Sequence, residues 1–402
     1  MIVKKAQMRI LHTSDWHLGQ NFMGKNREEE HQAFLSWLTK TIEDETVDVL
    51  IVAGDIFDTG TPPNYALELY YNFLKDLSKS SCKNIIITAG NHDSIATLKA
   101  PKQLLKALNV HVITSGDENE DELVPIYDKE ELQGVICAVP FLHDRVVRKA
   151  QSGQTMQDKE FSLNEGIKEH YNDVFEQAKV LRGNLNVPII ATGHLTTVGS
   201  RSSESERDIY IGGTIDIGGD FLGKDFDYVA LGHLHINQTV GSDHVRYSGS
   251  PIPLSFSESK TQKKVNIVTF KEGALDVQEI NIPLHRPLLV LKGDLASISN
   301  DLRMVEDKST WIEVHLNDSN PFDSNQTIRE LADELGLILL AVKIDKSEQA
   351  LHAEDFDVLS LDELTPLEVF NRRLELDALD DEDLKEELIK NFKVIVDEVE
   401  TL

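Results

Sequence analysis

Asp15, Asp55, Asn91 and five histidines stand where five short apolar runs of this 402-residue chain end. Ile10-Leu11 leads into Ser14-Asp15-Trp16-His17. The run Val47 to Ala53 stops at Gly54-Asp55. Ile85-Ile86-Ile87 reaches Gly90-Asn91-His92-Asp93. Ile189-Ile190 reaches Gly193-His194, and Tyr228 to Leu231 reaches Gly232-His233-Leu234-His235. Carboxylate, amide and imidazole side chains together make a ligand set for divalent ions, and two-metal sites commonly cleave phosphoesters. The mix of imidazole and carboxylate suits Mn²⁺, Fe²⁺ or Zn²⁺ better than an all-oxygen site would. A lone histidine on an apolar strand would most simply be a packed core residue. A set of this size beside glycines points to metal or catalytic work.

The elements that must position these residues follow from periodicity. Short Val/Ile-rich runs bounded by Gly read as buried strands. Ligands gather at the carboxyl ends of strands in open α/β sheets, so one sheet edge would collect the set. If extended, Asp15-x-His17 and His233-x-His235 would each put two side chains on one side. Gly54 and Gly90 let the backbone turn sharply beside the ions. Helical patterns over Glu28 to Ile42, Pro63 to Leu77 and Leu98 to Leu108 alternate with the first strands, which implies βαβ units. Further strands are expected over Gly134 to Pro140, Pro188 to Thr192, Phe226 to Leu231, His244 to Tyr247, Val265 to Phe270 and Leu275 to Ile282. A long helix is expected over Lys159 to Leu181.

Gly199 to Gly219 is polar and glycine-rich, and reads as a long loop beside the site. Its Arg201 and Arg207, with Lys224 beyond it, could contact phosphate, or could be solvated charges. Pro283 and Pro287 bracket a boundary. Strand Trp311 to Leu316, helix Thr327 to Leu335 and strand Leu337 to Ile344 then make a small α+β domain. The tail carries a capping box, Thr365-Pro366-Leu367-Glu368. Leu384, Leu388, Phe392, Ile395, Val399 and Leu402 form an apolar helical stripe, suited to packing on its own domain or docking in a partner's groove. The predicted division is 8–283, 284–375 and 376–402.

The net charge is −29, with about −18 of it in residues 301–402. Such a balance favours solubility and argues against tight, autonomous DNA binding. Bound cations reverse the local field, so phosphodiester chemistry stays open. No apolar run approaches the ~18 residues of a membrane span, and Met1 to Gln7 has no secretory apolar core. Cys82 and Cys137 cannot build a disulfide framework, and a reducing cytoplasm is expected. His12 is expected to pack or hydrogen-bond behind the site, and Trp16 to pack beside it.

The five motifs in order resemble those of the calcineurin-like metallophosphoesterases. Trp16 and the extension Ile56-Phe57-Asp58 make the likeness strongest to the DNA double-strand-break nucleases, and within these to the bacterial SbcD family of exonuclease subunits. The stretch Leu361 to Leu374 shares the resemblance, which thus runs from Met8 through nearly the whole chain. It implies a β-sandwich flanked by helices, with the small second domain and a helical tail. It implies that Asp15, His17 and His235 hold one ion, that Asn91, His194 and His233 hold the other, and that Asp55 bridges them. His92 would be no ligand; it would face the scissile phosphate and assist the leaving oxygen. The implied cofactor is two divalent ions, Mn²⁺ by resemblance, supplying the nucleophile from a bound water. The implied activities are single-strand endonuclease and 3′→5′ double-strand exonuclease. The implied partners are DNA, a second copy through Tyr65 to Leu77, and an SbcC-type ATPase. Archaeal relatives carry His where this chain has Asp58, so the role of that position does not transfer. The alternatives are a phosphoesterase for a small phosphodiester, which would need neither added domain nor tail, and a non-catalytic scaffold, which should have lost ligands.

Overall fold

The computed structural model describes residues 7–117, 122–147, 156–206, 217–271, 273–318, 321–344 and Phe392. The chain opens with β1 (Met8–Thr13), a small hairpin β2 (Asn21–Phe22) and β3 (Lys25–Asn26), α1 (Glu28–Asp44), β4 (Val49–Ala53), α2 (Asn64–Leu77) and β5 (Asn84–Thr88). After α3 (Ile95–Lys99) and α4 (Lys102–Lys106) come β6 (Val110–Ile113), β7 (Leu123–Asp128), β8 (Glu131–Cys137), α5 (Asp144–Val147) and the long α6 (Met156–Arg182). Then follow β9 (Ile189–His194), α7 (Gly219–Asp225), β10 (Tyr228–Gly232), β11 (Gln238–Val240), β12 (Ser242–Tyr247), β13 (Lys264–Lys271) and β14 (Ala274–Asn281).

Among the described residues these strands form two six-stranded sheets, ordered β14-β13-β1-β4-β5-β6 and β11-β12-β10-β9-β8-β7. Within each sheet the motif-bearing strands run parallel to one another, β1 with β4, β4 with β5, and β9 with β10, while β1 pairs antiparallel with β13 on its other side. Alternation along each strand divides the apolar residues between two faces. Ile10, Val49, Ile51 and Ile86 of the first sheet share a core with Ile136, Ile190, Tyr228 and Ala230 of the second. The opposite face of the first sheet buries Leu11, Leu50 and Ile87 against Phe34, Leu38, Phe73 and Leu74 of α1 and α2. The outer face of the second buries Val135, Ala191 and Val229 against Ile167, Tyr171 and Val174 of α6. The result is a β-sandwich flanked by helices. The motif ends come from both sheets, three from one and two from the other, so the expected single sheet edge is corrected to the joint rim of two. A strand buried on both faces has no polar side to lose, which is why β4 and β10 read as uninterrupted apolar runs.

The predicted helix over Leu98 to Leu108 is in fact two short helices. Pro101 cannot donate the hydrogen bond that would continue α3 and instead caps α4. After β14 come β15 (Leu288–Gly293), α8 (Leu295–Arg303), β16 (Trp311–Leu316), α9 (Pro321–Glu334) and β17 (Ile338–Ile344). They form a parallel three-stranded sheet, β15-β16-β17, with both helices in its core. Strand β15 and α8 were missing from the sequence expectation. This sheet lies within the unit Met1–Ile344; the second unit, Asp345–Leu402, which holds the predicted capping box and apolar stripe, falls outside the described residues apart from Phe392. Among the described residues no helix is long and apolar enough to cross a membrane. Cys82 and Cys137 are buried free thiols, and burial pushes Cys82 up to about 12.

Candidate metal centre

The loops after β1 and β4 are laced together by their backbones. The Asp15 amide donates to the Gly54 carbonyl at 3.0 Å, and the His17 amide to the Asp55 carbonyl at 3.0 Å. Both loops turn through the left-handed region, with φ of 52° at Asp15, 47° at His17 and 49° at Asp55; His233 has φ of 96°. Non-glycine residues rarely adopt such angles, and they cluster at functional sites where surrounding structure holds them. The side chains therefore converge through turns, in place of the extended x-spacing expected from sequence. Glycine is required for two reasons here. Gly54 has φ of 85°, and a Cβ there would lie 2.0 Å from His194 Nδ1. At Gly90 the issue is space alone, because a Cβ would lie 2.1 Å from Asp55 Oδ1.

Among the described residues three groups place possible ligand atoms within 4.8 Å of one another: Asp15, His17 and His235; Asp55, His194 and His233; and His17, Asp55 and His92. Asp55 and His17 each belong to two groups. The histidines His233 and His235 separate into different groups. Asn91 joins the second group, its Oδ1 2.9 Å from His194 Nε2. His92, expected to stay outside the ligand set, lies close enough to share the third group.

Hydrogen bonding orients the rings. His194 Nδ1 donates to the Ala53 carbonyl at 3.2 Å, because a carbonyl can only accept, and its Nε2 is then 3.2 Å from Asp55 Oδ2. His17 Nδ1 is 3.2 Å from Asp58 Oδ1, while its buried Nε2 has no hydrogen-bond partner. A buried imidazole nitrogen without a hydrogen bond, 3.6 Å from Asp55 Oδ2, is what a cation between the two would satisfy. Asp15 accepts from the His233 amide at 2.8 Å and the Ser14 hydroxyl at 2.5 Å. Asp55 accepts from the His92 amide at 2.9 Å. Burial opposes charge on Asp55, yet His194 and His17 hold its carboxyl well below the usual range. Burial likewise opposes charge on His194, but Asp55 pulls it up to about 9. Burial acts the other way elsewhere in the centre, pushing the Asp15 carboxyl up and, with His194 nearby, His233 well below the usual imidazole range.

Residues outside the predicted set complete it. Asp93 ties two motifs together, its carboxylate accepting from the amides of Ile56 at 3.1 Å, Phe57 at 3.0 Å and Gly90 at 2.9 Å. Burial, with Asp55 nearby, pushes it up to about 7. Its place in Gly-Asn-His-Asp was the available signal. Asp58 serves two rings, its side chain meeting His17 and its carbonyl accepting from His92 Nδ1 at 2.8 Å. His12 sits behind the site, against Tyr228 Oη at 2.9 Å and the Leu231 carbonyl at 3.2 Å. Trp16 is fully buried, edge-on to Phe34 and Phe73. Arg201 and Lys224 are exposed, and Arg207 lies outside the described residues.

A family model described as calcineurin-like phosphoesterase matches residues 8–237. A second, described as type 5 capsule protein repressor C-terminal domain, matches residues 285–378. The chain is similar to the SbcD subunit of the SbcCD nuclease from Escherichia coli (strain K12), at 44% identity over 93% of this chain and 94% of that protein. The SbcD subunits of Rhodobacter capsulatus and Bacillus subtilis are 36% and 33% identical. The first match covers 71% of each chain, the second 77% of this chain and 79% of that one.

Proposed function

The chain belongs to the SbcD family of calcineurin-like phosphoesterases, and from that premise we propose that it hydrolyses DNA phosphodiesters with two Mn²⁺ ions as the nuclease subunit beside an SbcC-type ATPase. The observation that carries the reading is that two buried donor groups, Asp15 with His17 and His235, and Asp55 with His194 and His233, lie side by side, linked by the 3.6 Å approach of His17 Nε2 to Asp55 Oδ2. The donor set fits two divalent ions. Asp15, His17 and His235 would hold the first, Asn91, His194 and His233 the second, and Asp55 would serve both. When bound, such ions would supply Lewis-acid polarisation of the phosphate and acidification of water.

The protein's own groups do the rest. The Asp58 carbonyl accepts from His92 Nδ1, so Nδ1 keeps its hydrogen and Nε2 is the position that exchanges a proton. That arrangement lets His92 stabilise the phosphate and protonate the leaving oxygen. Asp93 holds the loops bearing Asp55 and His92 in register, and Asp58 orients His17. Single-strand endonuclease and 3′→5′ exonuclease action, on hairpins and blocked ends, follow from the family reading.

The reading assigns DNA contact to the domain that begins at residue 284 and ATPase docking to residues 376–402, which lie outside the described residues apart from Phe392. Two copies join through α2, whose Tyr71 is exposed while Tyr70 and Phe73 face the core. The acidic balance fits a subunit that relies on a partner for grip on DNA, in the cytoplasm. The test is a pull-down of the intact chain with the ATPase, then an ATP- and Mn²⁺-dependent assay on hairpin DNA beside a cyclic nucleotide. Cleavage of the DNA supports the reading. Cleavage of the cyclic nucleotide alone replaces it with a small-phosphodiester enzyme.

A further inference from the structure

His235 is held at every polar atom but one by residues outside the five motifs. Its amide donates to Glu206 Oε1 at 2.7 Å. Its carbonyl accepts from Lys263 Nζ at 2.9 Å and from the Ser250 amide at 3.2 Å. Its Nδ1 lies 2.6 Å from Ser205 Oγ, and that hydroxyl reaches Glu258 Oε1. Glu258 and Lys263 are 1% and 5% exposed and form an ion pair with each other. The Ser203 hydroxyl lies 2.7 Å from Glu206 Oε2 and 2.9 Å from Glu258 Oε1, and Glu258 accepts from the Leu254 amide at 3.2 Å.

The direction of this chain of hydrogen bonds is fixed by its last member. An ionised carboxylate only accepts, so the Ser205 hydroxyl must donate to Glu258. The serine then offers a lone pair to His235, and Nδ1 must carry the ring hydrogen. The lone pair of the ring is left on Nε2. Histidines that bind metals are generally fixed this way, through a hydrogen bond from the other ring nitrogen.

We propose that Glu258, acting through Ser205, is the positioning residue that presents His235 Nε2 to the first ion, so that the segment Ser203 to Glu206 is part of the metal site. The proposal rests on the reading that Asp15, His17 and His235 hold an ion. It gives the start of the long polar loop a structural task at the metal centre, separate from the phosphate contact considered for Arg201 and Arg207. Removing Glu258 would also strand the buried Lys263 charge. Ser205, half-buried and outside that ion pair, is therefore the cleaner probe.

The test is a Mn²⁺ titration of the full chain, followed by calorimetry and by electron paramagnetic resonance of free Mn²⁺. Parent, Ser205→Ala, Ser205→Thr, Glu258→Gln and His17→Ala are compared, with thermal unfolding in parallel. Ser205→Ala should weaken one of two ions by about 10–100-fold, leave the second unchanged, and unfold at the parental temperature without metal. Glu258→Gln should weaken that same ion, Ser205→Thr should restore it, and His17→Ala should lose it. Parental affinity for both ions in Ser205→Ala, or equal weakening of both, overturns the proposal alone. A parent chain that binds no ion overturns the site reading and the proposal with it.

Discussion

Replacing Gly90 with Ala adds a methyl group at the most crowded point of the centre. The new Cβ would lie 2.1 Å from Asp55 Oδ1, 2.3 Å from its amide nitrogen and 2.7 Å from its Cγ. Ordinary contact begins near 3.4 Å, so the two motifs must separate by about 1.3 Å. Asp55 cannot yield freely, because its carboxylate also accepts from the His92 amide at 2.9 Å and sits 3.2 Å from His194 Nε2. Ligand constellations tolerate about 0.5 Å of error, and a misplacement of about 1 Å costs about 100-fold in rate, equivalent to about 2.7 kcal/mol. Overpacking should cost a further 1–3 kcal/mol of stability, roughly. The assay is Mn²⁺-dependent hydrolysis of bis(p-nitrophenyl) phosphate, with thermal unfolding alongside. Parental kcat/KM in Gly90→Ala would refute the argument that Gly90 is there to let Asp55 approach.

Three further outcomes are expected. His92→Ala should keep both ions, measured by metal analysis, while kcat falls by about 10²–10⁴-fold; loss of an ion would put His92 among the ligands. Arg27→Met should destabilise the chain by about 3–5 kcal/mol in denaturant unfolding. Arg27 is fully buried, pairs with Glu30 at 2.8 Å, donates to the Pro253 carbonyl at 2.8 Å and lies over Phe22 and Trp311; a loss below about 1 kcal/mol would show these contacts to be replaceable. Burial holds His31 at about 3, well below its unfolded value. The unfolded chain then gains a proton below about pH 6.5 that the folded chain refuses. Stability therefore falls with pH by about 1.4 kcal/mol per unit from this site, and His31→Leu should lose that slope between pH 6 and 4. An unchanged slope would mean that His31 protonates in the folded chain.

What the sequence revealed was local. Apolar runs ending in Gly-Asp, Gly-Asn-His-Asp or Gly-His-x-His announce buried strands and polar rims within a few residues. Sheet membership leaves no such local mark, so nothing along the chain separates β1, β4 and β5 from β9 and β10 as members of a different sheet. At Pro101 an apolar helical pattern continues across a residue that cannot continue a helix. Strand β15 and α8 are short elements beside the proline-marked boundary, too brief to show a clear period. The longest-range features were the least legible. Asp93 acts through the amides of Ile56 and Phe57, 37 and 36 residues away. Ser205 meets Glu258 across 53 residues. Neither spacing leaves a pattern along the chain. The left-handed turns at Asp15, His17, Asp55 and His233 were equally invisible, since nothing in those residue types demands positive φ.

The central claim is that one buried aspartate joins two ion sites while His92 stays outside both. The direct measurement is anomalous diffraction at the manganese edge from crystals of the intact chain grown with Mn²⁺. The account predicts two peaks, one beside Asp15, His17 and His235, the other beside Asn91, His194 and His233, with Asp55 reaching both. A single peak, or a peak ligated by His92, would contradict it.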